Sequence, residues 1–135
     1  AGGRGEVEPL WKTSAGSNVS SPVYHKGKLY WVSDKGIAHC LDAKTGEVVY
    51  KERLKNTGRV YASVLLAEER LYAVSREKGT WVLAAQPEFK QLAHNVFKSD
   101  SSVFNGSPAI LGAAIYLRSD EKLYCIGKGD KKTRL

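Results

Sequence analysis

Three stretches of this chain carry one pattern, and that repetition restricts the fold more than any other feature. Ser21-Pro22-Val23 followed by Lys28-Leu29-Tyr30-Trp31-Val32-Ser33 matches Ser63-Val64-Leu65 followed by Arg70-Leu71-Tyr72-Ala73-Val74-Ser75. The third occurrence is Ser107-Pro108-Ala109 followed by Ala114-Ile115-Tyr116-Leu117-Arg118-Ser119. The leading serines stand 42 and then 44 residues apart, and Tyr30, Tyr72 and Tyr116 keep the same spacings. After each comes a turn and a second apolar stretch: Gly36 to Leu41, Gly79 to Ala84 and Glu121 to Ile126. A fixed period of this size marks a repeat architecture, in which each unit buries its apolar faces only against its neighbours.

Each unit reads as short strands. The apolar runs are β-branched or aromatic, and Gly, Asp and Lys interrupt them every few residues. Thirteen Gly, seven Tyr and three Trp in 135 residues fit strands joined by tight turns. Strands are expected near 22–26, 28–33, 36–42 and 47–54, then near 61–67, 70–75, 80–85 and 89–97. The last unit has them near 106–111, 114–119 and 122–127. The segment 88–97 can be drawn as a short helix, but it fills the slot of a fourth strand and is read as an irregular outer strand. Four strands in a period in the low forties describe a propeller blade. The expected fold is therefore all-β, with four-stranded antiparallel meanders as the blades of a partial β-propeller of about three blades. The expected organisation is a flexible segment over 1–9, blades over 10–54, 55–98 and 99–127, and a basic tail over 128–135.

One stretch is more specific. Cys40-Leu41-Asp42-Ala43-Lys44-Thr45-Gly46-Glu47-Val48-Val49-Tyr50 resembles the docking motif of pyrroloquinoline-quinone-like propeller repeats. Asp42 and Thr45 can hydrogen-bond the turn backbone, Gly46 can take a positive φ, and the aromatic can pack between blades. Tyr50 stands where that family usually has Trp, and Cys40 where it usually has Ala. Leu10-Trp11-Lys12-Thr13 resembles the end of another such motif, so Trp11 joins Asp42, Thr45, Gly46 and Tyr50 as a docking residue. The second unit has lost the turn (Leu83-Ala84-Ala85-Gln86-Pro87-Glu88), and the third has Gly127 where the Asp belongs. The resemblance covers roughly 10–127 and implies a repeat protein of a bacterial extracytoplasmic compartment, periplasmic or similar, outer-membrane assembly propellers among them.

The chain starts with a lone outer strand around Leu10–Thr13 and is one outer strand short in its third unit. Propellers usually have about 4–8 blades, and a three-blade slab would expose two apolar faces. The expectation is either self-association, with a dimer of six blades favoured, or membership of a longer propeller. The leading serines are read as structural, capping the start of the inner strands by local hydrogen bonds.

Enzymatic chemistry is not expected. Quinone-dependent dehydrogenases share the blade type, and that resemblance would require adjacent cysteines, calcium-binding carboxylates and a catalytic Asp. Cys40 and Cys125 instead occupy equivalent positions of nonadjacent units and are read as small buried residues, unpaired. His25, His39 and His94 are isolated, with no metal-ligand spacing. No cofactor or metal is expected. The net charge of +7, from 21 Lys+Arg against 14 Asp+Glu, is spread over turns, so nucleic acid is not an expected partner. No apolar run approaches the roughly 20 residues that span a bilayer.

The expected function is a noncatalytic binding or scaffold module using blade-end loops and strand edges, with a protein or polymer ligand. Arg59, Tyr61, Arg76, Lys78, Asn105 and Arg118 lie before inner strands or in the turns between second and third strands, and form the candidate surface. The turn Arg76-Glu77-Lys78 is one residue longer than Asp34-Lys35. The alternative is a fragment of a quinone-dependent oxidoreductase.

Overall fold

A computed structural model describes residues 3–128. The basic tail expected over 128–135 lies, beyond Lys128, outside the described residues, as do Ala1 and Gly2. Among the described residues there is no helix. The chain forms three antiparallel sheets, each built from one repeat. The first contains β1 (Val23–His25), β2 (Lys28–Val32), β3 (Ile37–Asp42) and β4 (Val48–Arg53). The second contains β5 (Leu65–Ala67), β6 (Arg70–Val74), β7 (Thr80–Ala84) and β8 (Gln91–Asn95). The third has β9 (Ala109–Leu111), β10 (Ala114–Arg118) and β11 (Leu123–Gly127), with β11 at the edge that carries a fourth strand in the other two.

The local chemistry is that of tight meanders. Lys26 and Gly27 both take positive φ (45° and 79°), which turns β1 onto β2 in the sense that suits twisted strands. Glu68 and Glu69 hold the same conformation at the equivalent turn without a glycine (46° and 62°). A register shift occurs between Cys40 and Leu41, and again between Val82 and Leu83, the same place in two units. It sits where each third strand meets the turn into the fourth.

Strand alternation gives every sheet two faces, and the core lies between sheets. Tyr30, Val32, Ala38, Cys40 and Tyr50 from the first pack on Leu71, Ala73, Trp81 and Leu83 from the second. Ala62, Val74, Phe104 and Leu117 form a smaller cluster between the second and third, joined by Phe97 and Tyr124. An apolar crevice of about 220 Å³ remains at that second junction, bordered by Tyr72, Val96, Ile115 and Ile126.

The docking elements act between neighbours. Asp42 Oδ1 accepts the backbone N–H groups of Lys44 (2.9 Å) and Thr45 (3.1 Å), and Oδ2 accepts Lys28 Nζ at 3.0 Å. The Lys28 ammonium first, and then those two N–H groups, hold the Asp42 carboxyl down at about 2. Gly46 has φ +75°, and a Cβ there would lie inside the Trp11 ring. Trp11 Nε1 donates to Ala43 O at 3.1 Å, so this indole lies flat on the first blade's turn. One repeat on, Tyr50 meets Phe89 of the second blade edge-on, ring centroids 5.6 Å apart. In the same register the second blade has Ala93, opposite Val82 as Tyr50 is opposite Cys40.

The linker between β8 and β9 is held by another device. Asp100, only 8% exposed, accepts Ser102 N (2.9 Å), Ser102 Oγ (2.5 Å), Ser119 Oγ (2.8 Å) and Tyr124 O–H (2.6 Å). These donors, Ser102 Oγ and Tyr124 first, push its carboxyl far below 3.8, and the Tyr124 phenol rises to about 12. Because the folded value lies below the unfolded one, this contribution is complete above the unfolded value. It is lost as pH falls through the folded one. Thermal melting between pH 5 and pH 2 should therefore show a declining midpoint for the parent chain. Asp100→Asn should start lower and decline less. Equal slopes for the two proteins would remove Asp100 as the origin of the loss.

Candidate binding surface at the blade ends

The turns between second and third strands each begin with a serine: Ser33, Ser75 and Ser119. In the first two units the residue after it presents its carbonyl to the chain leading into the next blade. Val60 N donates to Asp34 O (3.2 Å), and Phe104 N donates to Arg76 O (2.8 Å). These backbone bonds set residues 59–61 against the first blade's turn and residues 103–106 against the second's.

That arrangement collects the side chains singled out from sequence. Arg59 Nη1 pairs with Asp34 Oδ2 at 3.1 Å across the first junction. Arg76 lies over the Tyr61 ring, 4.6 Å from its centroid, and Arg76 Nε donates to Asn105 Oδ1 at 2.8 Å across the second. Arg118 borders Gly106, its Nε 3.3 Å from where a Cβ would stand, and Lys78 borders Gly58 in the same way at 3.8 Å. Tyr61, Arg76 and Asn105 thus form one contact group and Asp34 with Arg59 another, linked through the backbone where Arg76 N donates to Arg59 O at 2.9 Å, with Lys78 and Arg118 beside them. Asp34 belongs to this set and was not singled out. Its signal was its place after Ser33, where the second unit has Arg76.

The leading serines behave differently from the expectation of local capping. Ser21 N donates to Ser63 Oγ, and Ser63 N donates to Ser107 Oγ, both at 2.9 Å. Each hydroxyl serves the blade before it. The three serines make one ladder across all three sheets, with a partner a full repeat away in each rung. Ser20, next to the first rung, does bond its own blade, donating to Val32 O at 2.5 Å.

The two cysteines also differ from each other. Cys40 is buried between the first two sheets, and that burial pushes its thiol up. Cys125, expected to be buried, is exposed, because among the described residues no further sheet lies over the equivalent face of the third sheet. Both are free thiols. His39 stacks on Trp31 (4.7 Å, 8°) and His94 on Trp81 (3.8 Å, 22°), so both rings pack against indoles. Burial first, and then the Lys51 charge, push His39 below its ordinary value.

The blade type implies a quinone and a calcium ion in the dehydrogenases that share it. Among the described residues no three His, Cys, Asp or Glu side chains come together to hold a metal ion. The two cysteines lie on different sheets. Also among the described residues, no helix is long and apolar enough to cross a membrane.

Residues 6–87, more than half of the chain, match the family described as "Outer membrane protein assembly factor BamB". Comparison with curated proteins gives no match. Among solved structures, the chain is similar to BamB from Moraxella catarrhalis, with TM-score 0.61 and 15% identity over 87% of this chain and 34% of that one. It is also similar to the quinohemoprotein alcohol dehydrogenase from Comamonas testosteroni, with TM-score 0.62 and 18% identity over 75% of this chain and 17% of that one. The computationally designed Ika4 protein aligns with TM-score 0.59 and 8% identity, over 90% of this chain and 100% of its own length. The chain thus spans about a third of that BamB and a smaller part of the dehydrogenase. At these identities the likeness is one of fold, and the fold is that of propeller blades.

Proposed function

Since the chain belongs to the family of the outer membrane protein assembly factor BamB, we propose that it is a noncatalytic propeller-repeat module that binds a protein segment at the ends of its blades. The observation that carries this reading is the contact chain Asp34–Arg59, Tyr61–Arg76 and Arg76–Asn105, which spans both junctions. Lys78 and Arg118 add to it, so the surface displays more cations than anions. An extended acidic segment is the occupant whose charge this suits. Exposed strand edges supply backbone donors and acceptors, and the loop charges supply selectivity. An extracytoplasmic site of action belongs to the same reading. So does completion of the ring by further blades, from a second copy or from a longer chain.

A fluorescein-labelled peptide of alternating Glu and Tyr, followed by anisotropy, tests the proposal. Arg76→Glu is expected to weaken binding roughly 10- to 100-fold, as for loss of a charged hydrogen bond. Added salt should weaken it as well. Equal binding by parent and variant would remove this surface from the function.

The likeness to a quinohemoprotein dehydrogenase favours a second reading, a portion of a quinone-dependent oxidoreductase. Titration with quinone and calcium separates the two. A saturable change in quinone absorbance would replace the binding-module reading.

A further inference from the structure

The loop over 54–60, which carries the chain from the first blade into the second, folds back against the turn between β2 and β3. Leu54 N donates to Gly36 O (2.9 Å) and Val60 N to Asp34 O (3.2 Å), so both ends of the loop are tied to that turn. Between the ties the two segments meet closely: a Cβ on Gly36 would stand 2.9 Å from Thr57 Oγ1. Leu54 and Thr57, each 2% exposed, form the floor of an open cleft of about 460 Å³. The Thr57 hydroxyl donates to Leu54 O, and Thr57 O accepts Ser75 Oγ at 2.5 Å, so the floor is fixed to both blades. Every wall of the cleft comes from residues 35–59, within the first junction.

Three cations line it, Lys35, Arg53 and Arg59, and among the described residues no carboxylate does. Both arginines are tethered. Arg53 Nη1 donates to Lys35 O at 3.0 Å, and Arg59 Nη1 pairs with Asp34 Oδ2 at 3.1 Å. A guanidinium holds five N–H donors in a planar fork, so one such bond orients the fork and leaves other donors to spend. Lys78 stands at the rim beside Gly58, and its carbonyl meets His94 Nε2 at 2.5 Å. Asp34 offsets one of the three lining charges, which leaves two. The blade architecture does not demand this cluster. At the second junction the same register puts Val96 where Arg53 stands, and Glu77 follows Arg76 where Lys35 follows Asp34.

We infer that this cleft is an oxyanion site that takes a phosphate-type dianion, either the free ion or a phosphoryl group carried on a larger molecule. Arginine forks match the oxygens of such a group, and Lys35 adds a point charge. The site shares Arg59 with the surface proposed above but takes a different occupant, so each can fail without the other.

Isothermal titration calorimetry on the full chain at about pH 8, where phosphate carries both charges, tests the site with inorganic phosphate and with phenyl phosphate at constant ionic strength. One saturable site is expected. Lys35→Gln and Arg53→Gln should each weaken it roughly 10- to 100-fold. Lys35 gives the fold its carbonyl rather than its ammonium, so Lys35→Gln reads the site even if Arg53→Gln disturbs the loop. Lys44→Gln removes the same charge from the Asp42 turn and should leave the affinity unchanged. Equal losses in Lys44→Gln and Lys35→Gln would reduce the attraction to net charge and overturn the site. Displacement of phosphate by equimolar acetate overturns the dianion, and the lack of saturable binding overturns the whole inference. Binding of inorganic phosphate alone upholds it for the free ion, and equal binding of phenyl phosphate upholds it for a carried phosphoryl group. Phosphate binding without acidic-peptide binding keeps this site and removes the surface proposed above; the reverse removes this site alone.

Discussion

Tyr50→Ala is expected to lower the unfolding free energy by about 3–5 kcal/mol, the range for deleting a buried aromatic side chain. Tyr50 is 9% exposed and lies in the larger core cluster, near Tyr30 and edge-on to Phe89. It reaches from the fourth strand of one blade to the turn of the next, so its removal opens a void at the junction itself. Neither neighbouring sheet can close that void without moving against the other. Tyr50→Phe keeps the ring and should cost less than about 1.5 kcal/mol. Urea unfolding followed by tryptophan fluorescence reads both. An alanine variant within 1 kcal/mol of the parent would show that the junction does not depend on this ring.

Gly79→Ala is expected to cost about 3 kcal/mol, the upper end for a residue held in a sparsely populated conformation. Gly79 has φ +95°, and a Cβ there would collide with the carbonyl oxygen of Asn95. Backbone cannot swing aside as a flexible side chain can. The same glycine accepts Ser75 N at 2.9 Å, so moving it strains the turn that positions Arg76. Gly112→Ala is the control. It also has positive φ (+58°), but open space surrounds it, so only the conformational cost of about 1 kcal/mol remains. Similar losses in both variants, measured by the same unfolding curves, would leave the collision at Gly79 without weight.

The strand pattern was legible because alternation of apolar residues, broken by Gly and charged turns, is a local signal. Segment 88–97 was the hardest, and it forms β8 because its residues pair with β7 rather than because of their propensity. The expectation near 61–67 was too long, since β5 covers only Leu65–Ala67. Ala62 and Ser63 are used at the next junction instead: one packs beside Phe104, the other donates to Ser107. The serine ladder escaped for a related reason. Repetition marked Ser21, Ser63 and Ser107 as equivalent, but equivalence does not say that one occurrence bonds the next. Cys125 is exposed against expectation because burial depends on the neighbouring sheet, which lies beyond the repeat unit. Asp100 gave no signal at all, since its linker is not repeated and two of its partners, Ser119 and Tyr124, lie 19 and 24 residues away. Of the blade-end surface, the positions were readable from the turns. The pairing of Arg59 with Asp34, and of Arg76 with Asn105, required the blades to be stacked.

The ladder of Ser21, Ser63 and Ser107 also has a bearing on how the molecule comes apart. Rungs that join only adjacent sheets pass stability along the chain like links, with no bond reaching past a neighbour. Among the described residues the middle sheet is gripped from both sides, whereas the first and third sheets are each gripped from one, the third across the junction that keeps a crevice. In this chain the amides of β9, β10 and β11 are expected to exchange with solvent before those of β6 and β7, which hydrogen exchange would measure. An array of this kind ravels like knitting from its loose edge, and whatever covers that edge tightens every row behind it.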